Sequence, residues 1–406
     1  MRAYGSEMKM RHQDILISGG GLAGLTAALA FGGAGFSVLC VDPAPPVTSV
    51  NRAGADIRTT ALLQPARQLL ERANLWHRLA GSAAPLQIMR IIDAGGESHE
   101  VRDIADFDAA DISDQPFGWN IPNWLLKREL LAAIAGVPDV TFLTGVQTRQ
   151  TTPRSTEIRT MLSDGSLAVS HLLIAADGRN SNIREQAGIG VKTWRYGQKA
   201  LAFTVTHPLP HHNVSTEIHR TGGPFTLVPL PDQDGQPASA VVWMERSAEI
   251  ERLANLPVPA FEAEILTRST GLFGPLTLNG RRSVWPIISQ LANRLTAERT
   301  ALIAEAAHVV PPIGAQGLNM SLADIACLLT LAQSAPDALG SATMLATFQR
   351  QRWGDINRRV RGIDLLNRVS MAENPLLREL RRSGLKTLHG VAPIRKLLMK
   401  TGLGAT

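Results

Sequence analysis

The sequence predicts an α/β fold of interleaved parts: a three-layer domain on a parallel sheet, an antiparallel sheet beside it, and a C-terminal helical tail. Three observations carry this. A strand, glycine loop, helix and second strand fill residues 14–42. Two later strands, ending near residues 177 and 305, each run through a turn into a helix. Between them, residues 190–280 form alternating or apolar segments broken by Pro- and Gly-containing turns, the pattern of antiparallel strands.

The first element reads "DILISGGGLAGLTAALAFGGAGFSVLCVD". An apolar strand leads into a G-x-G-x-x-G loop, then an Ala/Leu helix closed by Gly35, then a strand stopping at Asp42. This is the full context that a dinucleotide fingerprint requires. Gly19 permits the tight turn, Gly21 lets backbone amides approach a pyrophosphate, and Gly24 lets the helix lie close to the strand. The helix start offers unpaired N–H groups and a positive dipole end to phosphates. Asp42, 23 positions after Gly19, stands where a carboxylate accepts from a ribose diol. NAD and FAD both fit this loop.

The second element, "HLLIAADGRNSNIR", is a buried-type strand ending at Asp177 and Gly178. The third, "LIAEAAHVVPPIGAQGLNMSLAD", brings Glu305 to the C-terminal edge of a strand, where open α/β sheets bind ligands. Pro311 and Pro312 stiffen the following turn, while Gly314 and Gly317 let backbone pass close to a flat ligand. A helix expected to begin near Leu318 points free N–H groups at whatever lies there.

Together, "ILISGGGLAGL", "IAADGRNSNIR" and "EAAHVVPPIGAQGLN" resemble the class A flavoprotein monooxygenases, and within them the hydroxylases of ubiquinone biosynthesis. The resemblance spans nearly the whole chain. It implies a Rossmann-like FAD-binding domain of residues 11–75, 120–189 and 281–350. Residues 76–119 and 190–280 would form a substrate domain roofing the flavin, and 351–406 a basic helical region. It implies FAD as cofactor, NAD(P)H as electron donor without its own Rossmann domain, and O2 with an aromatic substrate. Gly19, Gly21 and Gly24 would then hold the pyrophosphate and Asp42 the adenosine ribose. Arg58, in "ADIRTTAL", would reach the phosphate or ribityl region, with an ion pair to Asp56 as the alternative. Asn123 would turn its amide toward FAD, or cap its own helix. Asp177 and Gly178 would serve FAD and nicotinamide handling. Glu305 would face the ribityl chain, and Pro312, Gly314, Gly317, Leu318 and Asn319 would line the isoalloxazine. Amides at 317–319 would stabilise negative charge on the reduced ring. One departure stands out: this chain has Ala304-Glu305 where the family usually writes Gly-Asp, which predicts weaker FAD retention.

No catalytic base is identifiable. Tyr4 and Tyr196 are the chain's two tyrosines, too few for a relay that deprotonates a phenol, and His211, His212 and His219 read as surface or turn residues. His308 reads as structural. Cys40 and Cys327 lack metal-ligand spacing, so no metal is expected. Net charge is +6, but residues 351–406 hold twelve Lys and Arg against four Asp and Glu. The body is therefore not basic, and no nucleic-acid motif is present. In "NPLLRELRRSGLKTLHGVAPIRKLLMK", leucines from Leu376 to Leu388 repeat at helical spacing among Arg378, Arg381, Arg382 and Lys386. Such a helix suits an anionic membrane surface, a partner in a quinone-biosynthesis complex, or the chain's own body. With no long apolar run and no signal-peptide pattern, the expected compartment is the cytoplasm, peripheral to the inner face of the membrane if the tail docks there. For function the sequence leaves three readings open: hydroxylation of a polyprenyl-phenol ubiquinone precursor, hydroxylation of a small soluble aromatic, or a noncatalytic flavin-binding scaffold.

Overall fold

The computed structural model describes residues 9–95, 100–371, 389–390 and 392–403. Leucines 376, 377, 380, 385 and 388 and the basic residues between them lie outside these, as does Tyr4.

The first sheet runs in the order Thr296–Ala297, Thr300–Leu302, Leu167–Ala175, Met10–Ser18, Val38–Asp42, Val140–Thr144. Its central pairs are parallel, with Ile15, Leu16 and Ile17 beside Leu172, Leu173 and Ile174 on one side and Val38, Leu39 and Cys40 on the other. All but Val38 and Leu39 are fully inaccessible, and those two nearly so. A strand buried on both faces is apolar throughout and does not alternate, which explains the continuous runs in the sequence. Helices Leu22–Gly33, Asn123–Ile134 and Gln316–Ser334 pack together against it. The glycine-loop helix is apolar all round because it is buried nearly all round.

The second sheet runs His308–Val309, Thr277–Ala292, Val191–Thr206, Gln236–Arg246, Pro224–Gln233, Val214–His219, Ile88–Asp93, Asp103–Asp108. The antiparallel expectation for 190–280 holds, with one exception. Val214–His219 pairs parallel with Ile88–Asp93, because the earlier segment enters the sheet from outside the meander. Phe203, Phe225, Trp243, Phe261 and Ile265 form its own apolar core. Strand Thr277–Ala292 runs across the expected boundary at residue 281, so residues up to 292 share the second sheet. A third sheet, Thr59–Leu63, Gly118–Pro122 and Ala84–Leu86, is antiparallel.

The helix Ala342–Ser370 joins the parts. Phe348, Ile356 and Val360 enter the first core, while Ile363 meets Ala200, Met244 and Ile287 of the second sheet and Ile313 of the late turn. The helix Ala392–Leu403 docks through Met399 against Leu63, Leu86, Ala109 and Phe117. Among the described residues, no helix is long and apolar enough to cross a membrane, and no cluster of His, Cys, Asp and Glu could hold a metal.

Candidate functional site

Parallel pairing alone brings the three motifs together. At the C-terminal edge of the first sheet, Ile303 N–H donates to Ala175 O at 3.0 Å, Ala176 N–H to Ser18 O at 2.8 Å, and Gly19 N–H to Val41 O at 2.8 Å. Four strand ends thus stand side by side, and the next residues on each are the motif residues. A Cβ on Gly19 would overlap the carbonyl oxygen of Ala176, and one on Gly24 the carbonyl oxygen of Gly19. These glycines are needed for the loop, helix and Asp-Gly turn to touch. Gly21 differs: a Cβ there would meet nothing within 4 Å, so its space opens outward at the start of the helix.

Asp42 accepts from Gly20 N–H at 2.6 Å and Ala44 N–H at 2.8 Å, which orients it at the loop. Asp177 accepts from Ile183 N–H at 3.2 Å through Oδ2, while its buried Oδ1 has no hydrogen-bond partner among the described residues. Burial pushes the Asp177 carboxyl above its ordinary range, against the opposing hydrogen bonds of Ser181 and the Ile183 and Asn182 backbone. An orphaned carboxylate oxygen beside an open glycine cradle fits a polar ligand arriving at this edge. Gly178 follows with φ of 87°, turning the chain toward the helix Asn182–Gln186.

Arg58 is held by Asp56, with Nε at 2.8 Å and Nη2 at 2.7 Å from the two carboxylate oxygens, and its guanidinium lies over the Trp285 ring at 3.9 Å. The ion pair weighed as the alternative for Arg58 is therefore present. Burial by itself would lower the Arg58 pKa, but Asp56, with Glu305 adding charge, raises it. Asn123 is the first residue of its helix and Pro122 the cap, so its side chain does not cap. It donates instead to Asp56 at 2.9 Å and accepts from Thr60 at 2.7 Å.

In the late turn, Glu305 is exposed on the short helix Ala304–Ala307. Ala304 sits at φ of 54°, a left-handed position that suits glycine. The following helix begins at Gln316, two residues before the expected start, because left-handed Ala315 (φ 56°) turns the chain early. Its first free N–H groups therefore belong to Gln316, Gly317 and Leu318. Pro312 and Gly317 are exposed and Leu318 half-buried. Asn319 has its side chain committed: it donates to Ala61 O at 2.8 Å and accepts from Leu63 N–H at 2.9 Å, stitching the turn to the third sheet. Gln316 donates to Gly314 O at 2.8 Å and to Gly402 O of the C-terminal helix at 3.0 Å.

His308 is structural, as read. It lies 2.7 Å from Asp324, which also accepts from Arg352 at 2.8 Å; Arg352 in turn reaches Asp355 at 2.9 Å. Tyr196 bonds Asp364 and Ser289, and burial with Asp364 pushes its pKa up to about 12, so it is no base near neutral pH. His211 is tied to Leu230 O at 3.1 Å, His212 occupies a left-handed turn, and His219 pairs with Glu217 at 2.7 Å. Sequence reasoning gave no site role to Asp56 and did not find Trp285. The D-x-R spacing of Asp56 and Arg58 was a usable signal, whereas Trp285 arrives from a distant strand and has none.

Comparison with known proteins accords with this geometry. Residues 12–357 match the FAD binding domain family. The chain is 32% identical over 394 residues to the ubiquinone hydroxylase UbiL of Rhodospirillum rubrum, covering 96% of this chain and 89% of that protein. It is 27% identical over 396 residues to the 3-demethoxyubiquinol 3-hydroxylase of Escherichia coli, covering 96% and 98%. In fold it is similar to p-nitrophenol 4-monooxygenase PnpA from Pseudomonas putida, with a TM-score of 0.77, 18% identity and coverage of 98% and 99%. With a family match over most of its length and three motif loops on one sheet edge, this chain belongs to the FAD-binding monooxygenases and is an FAD-dependent hydroxylase.

Proposed function

We propose that the enzyme hydroxylates the aromatic ring of a polyprenyl-phenol intermediate of ubiquinone biosynthesis, with O2 and NAD(P)H as co-substrates. The observation that carries this reading is the end-to-end similarity to relatives whose names state ubiquinone hydroxylation. Bound FAD supplies the electron transfer and oxygen activation, and the chain supplies position, exclusion of water and electrostatics.

In this reading Gly21 and the start of helix Leu22–Gly33 receive the pyrophosphate, Gly19 and Gly24 serve it by letting the loop and helix close up behind, and Asp42 receives the ribose. Asp177 and Gly178 close the adjacent edge. Glu305 and Arg58 flank the ribityl region, and the turn from Pro312 through Asn319 lies against the ring, with the N–H groups of Gln316, Gly317 and Leu318 available to a developing negative charge. Asn319 serves there by holding the turn. The second sheet forms the roof, and the proton of the phenol leaves without Tyr196. The basic tail brings the body to a lipid surface carrying the prenylated substrate.

The test is hydroxylation of a prenylated phenol in anionic vesicles, compared with soluble unprenylated phenols. Coupled NAD(P)H consumption and product with the prenylated ring supports the reading. Turnover of soluble phenols alone places the substrate elsewhere, and retention of FAD without NAD(P)H oxidation under any condition indicates a scaffold.

A further inference from the structure

The carboxylate of Asp56 accepts four hydrogen bonds: from Arg58 Nε at 2.8 Å, Arg58 Nη2 at 2.7 Å, the Arg58 backbone N–H at 3.1 Å and Asn123 Nδ2 at 2.9 Å. Asn123 closes the unit, donating its own backbone N–H to Arg58 O at 2.9 Å and accepting from Thr60 at 2.7 Å. Trp285 supports one face of the guanidinium from the second sheet. Arg281, on the same strand as Trp285, donates to the carbonyls of Arg52 and Ala55 and holds the loop leading to Asp56.

Ordinary surface pairs in this protein are simpler. Arg159, for example, meets Glu157 two residues away through one contact at 2.6 Å. Around Asp56, by contrast, three segments converge to fix one arginine whose side chain remains 39% exposed. Asp56 takes the Nε–Nη2 edge, so the Nη1 hydrogens lie on the other edge. A guanidinium held on one side by a fork and a ring is a preorganised donor, because little rotamer freedom is left to lose on binding.

We propose that Asp56 is a positioning residue of the flavin site, locking Arg58 and Asn123 into one unit whose remaining donors meet the bound cofactor. This rests on FAD lying against Arg58, as in the reading above, and not on the identity of the phenol.

The experiment titrates apo-protein into FAD and reads the dissociation constant from flavin fluorescence, for the parent, Asp56→Ala, Asp56→Asn, Arg58→Ala and the Asp56→Ala/Arg58→Ala double variant. Loss of one charge-assisted clamp predicts weakening of about tenfold for Asp56→Ala. Since Asp56 acts mainly through Arg58, the double variant should bind much less weakly than the sum of the two single losses predicts. Asp56→Glu, which restores the charge, should recover part of the affinity. Asp56→Asn keeps the shape and serves if the alanine variant does not fold, with melting of the apo-proteins as the control. Unchanged or tighter FAD binding in folded Asp56→Ala or Asp56→Asn overturns the proposal, as do strictly additive losses in the double variant. Failure of the parent to bind FAD overturns both this and the placement of the cofactor.

Discussion

At Ala304 a single methyl group sets a local cost. An L-residue at φ of 54° is strained by about 1–2 kcal/mol, which glycine avoids. Glycine also adds unfolded-chain entropy of about 0.4–1 kcal/mol, so the net gain for Ala304→Gly is about 0.5–1 kcal/mol. A higher denaturation midpoint for the apo-protein is expected, with FAD retained at least as tightly; a lower midpoint would mean that the alanine is not strained. Gly24→Ala acts oppositely, since its Cβ would overlap the Gly19 carbonyl. It should cost about 1–3 kcal/mol and sharply reduce FAD retention in equilibrium dialysis. Asp56 adds a pH dependence. Burial raises its pKa, but hydrogen bonds and charge from Arg58, with the amide of Asn123, hold it below its ordinary value. A depressed carboxylate stabilises the fold above its unfolded pKa of about 3.9 and loses that contribution as pH falls through the folded value. The stability gap between parent and Asp56→Asn, followed by denaturant melts, should be full near neutrality and close below about pH 4. A gap that widens in acid contradicts this.

Between elements, the buried group of His308, Asp324 and Arg352 fastens the late turn to helices Gln316–Ser334 and Ala342–Ser370. Asp324 is fully inaccessible and answers both side chains, so Asp324→Ala leaves Arg352 and His308 without their shared partner. Breaking such a network costs about 3–5 kcal/mol. The measurement is the unfolding free energy of the apo-protein, and a loss under about 1 kcal/mol would show that the turn is held by other contacts. The same elements show how far local sequence reaches. The three strand–turn motifs were legible because glycines, an acid and strand periodicity coincide within short windows. The start of the late helix was misplaced by two residues because no propensity rule puts alanine at a left-handed cap. Asn319 read as a ring contact, yet its amide is committed to strand Thr59–Leu63, a partner that sequence spacing cannot announce.

For the molecule as a whole, the parallel sheet and its antiparallel companion were legible from apolar runs and alternation, while their junction was not. Strand Thr277–Ala292 crosses the expected boundary, and Trp285 on it reaches Arg58 through tertiary packing alone. Packing of the tail on the chain's own body was one of the alternatives left open, but the contacts made by its docked end were not legible. Met399 is buried among Leu63, Leu86, Ala109 and Phe117, and Gly402 accepts from Gln316 of the late turn. Met399→Ala should therefore lower apo-protein stability by about 2–3 kcal/mol, whereas a tail free of the body would make the change silent. The most direct measurement of the whole reading is mass spectrometry of a prenylated phenol after turnover with the FAD-loaded enzyme, NAD(P)H and isotopically labelled O2 in anionic vesicles. One labelled oxygen on the ring, formed in step with NAD(P)H oxidation, is the predicted result. Enzyme that holds FAD and oxidises NAD(P)H but labels only soluble phenols, or none, would contradict it.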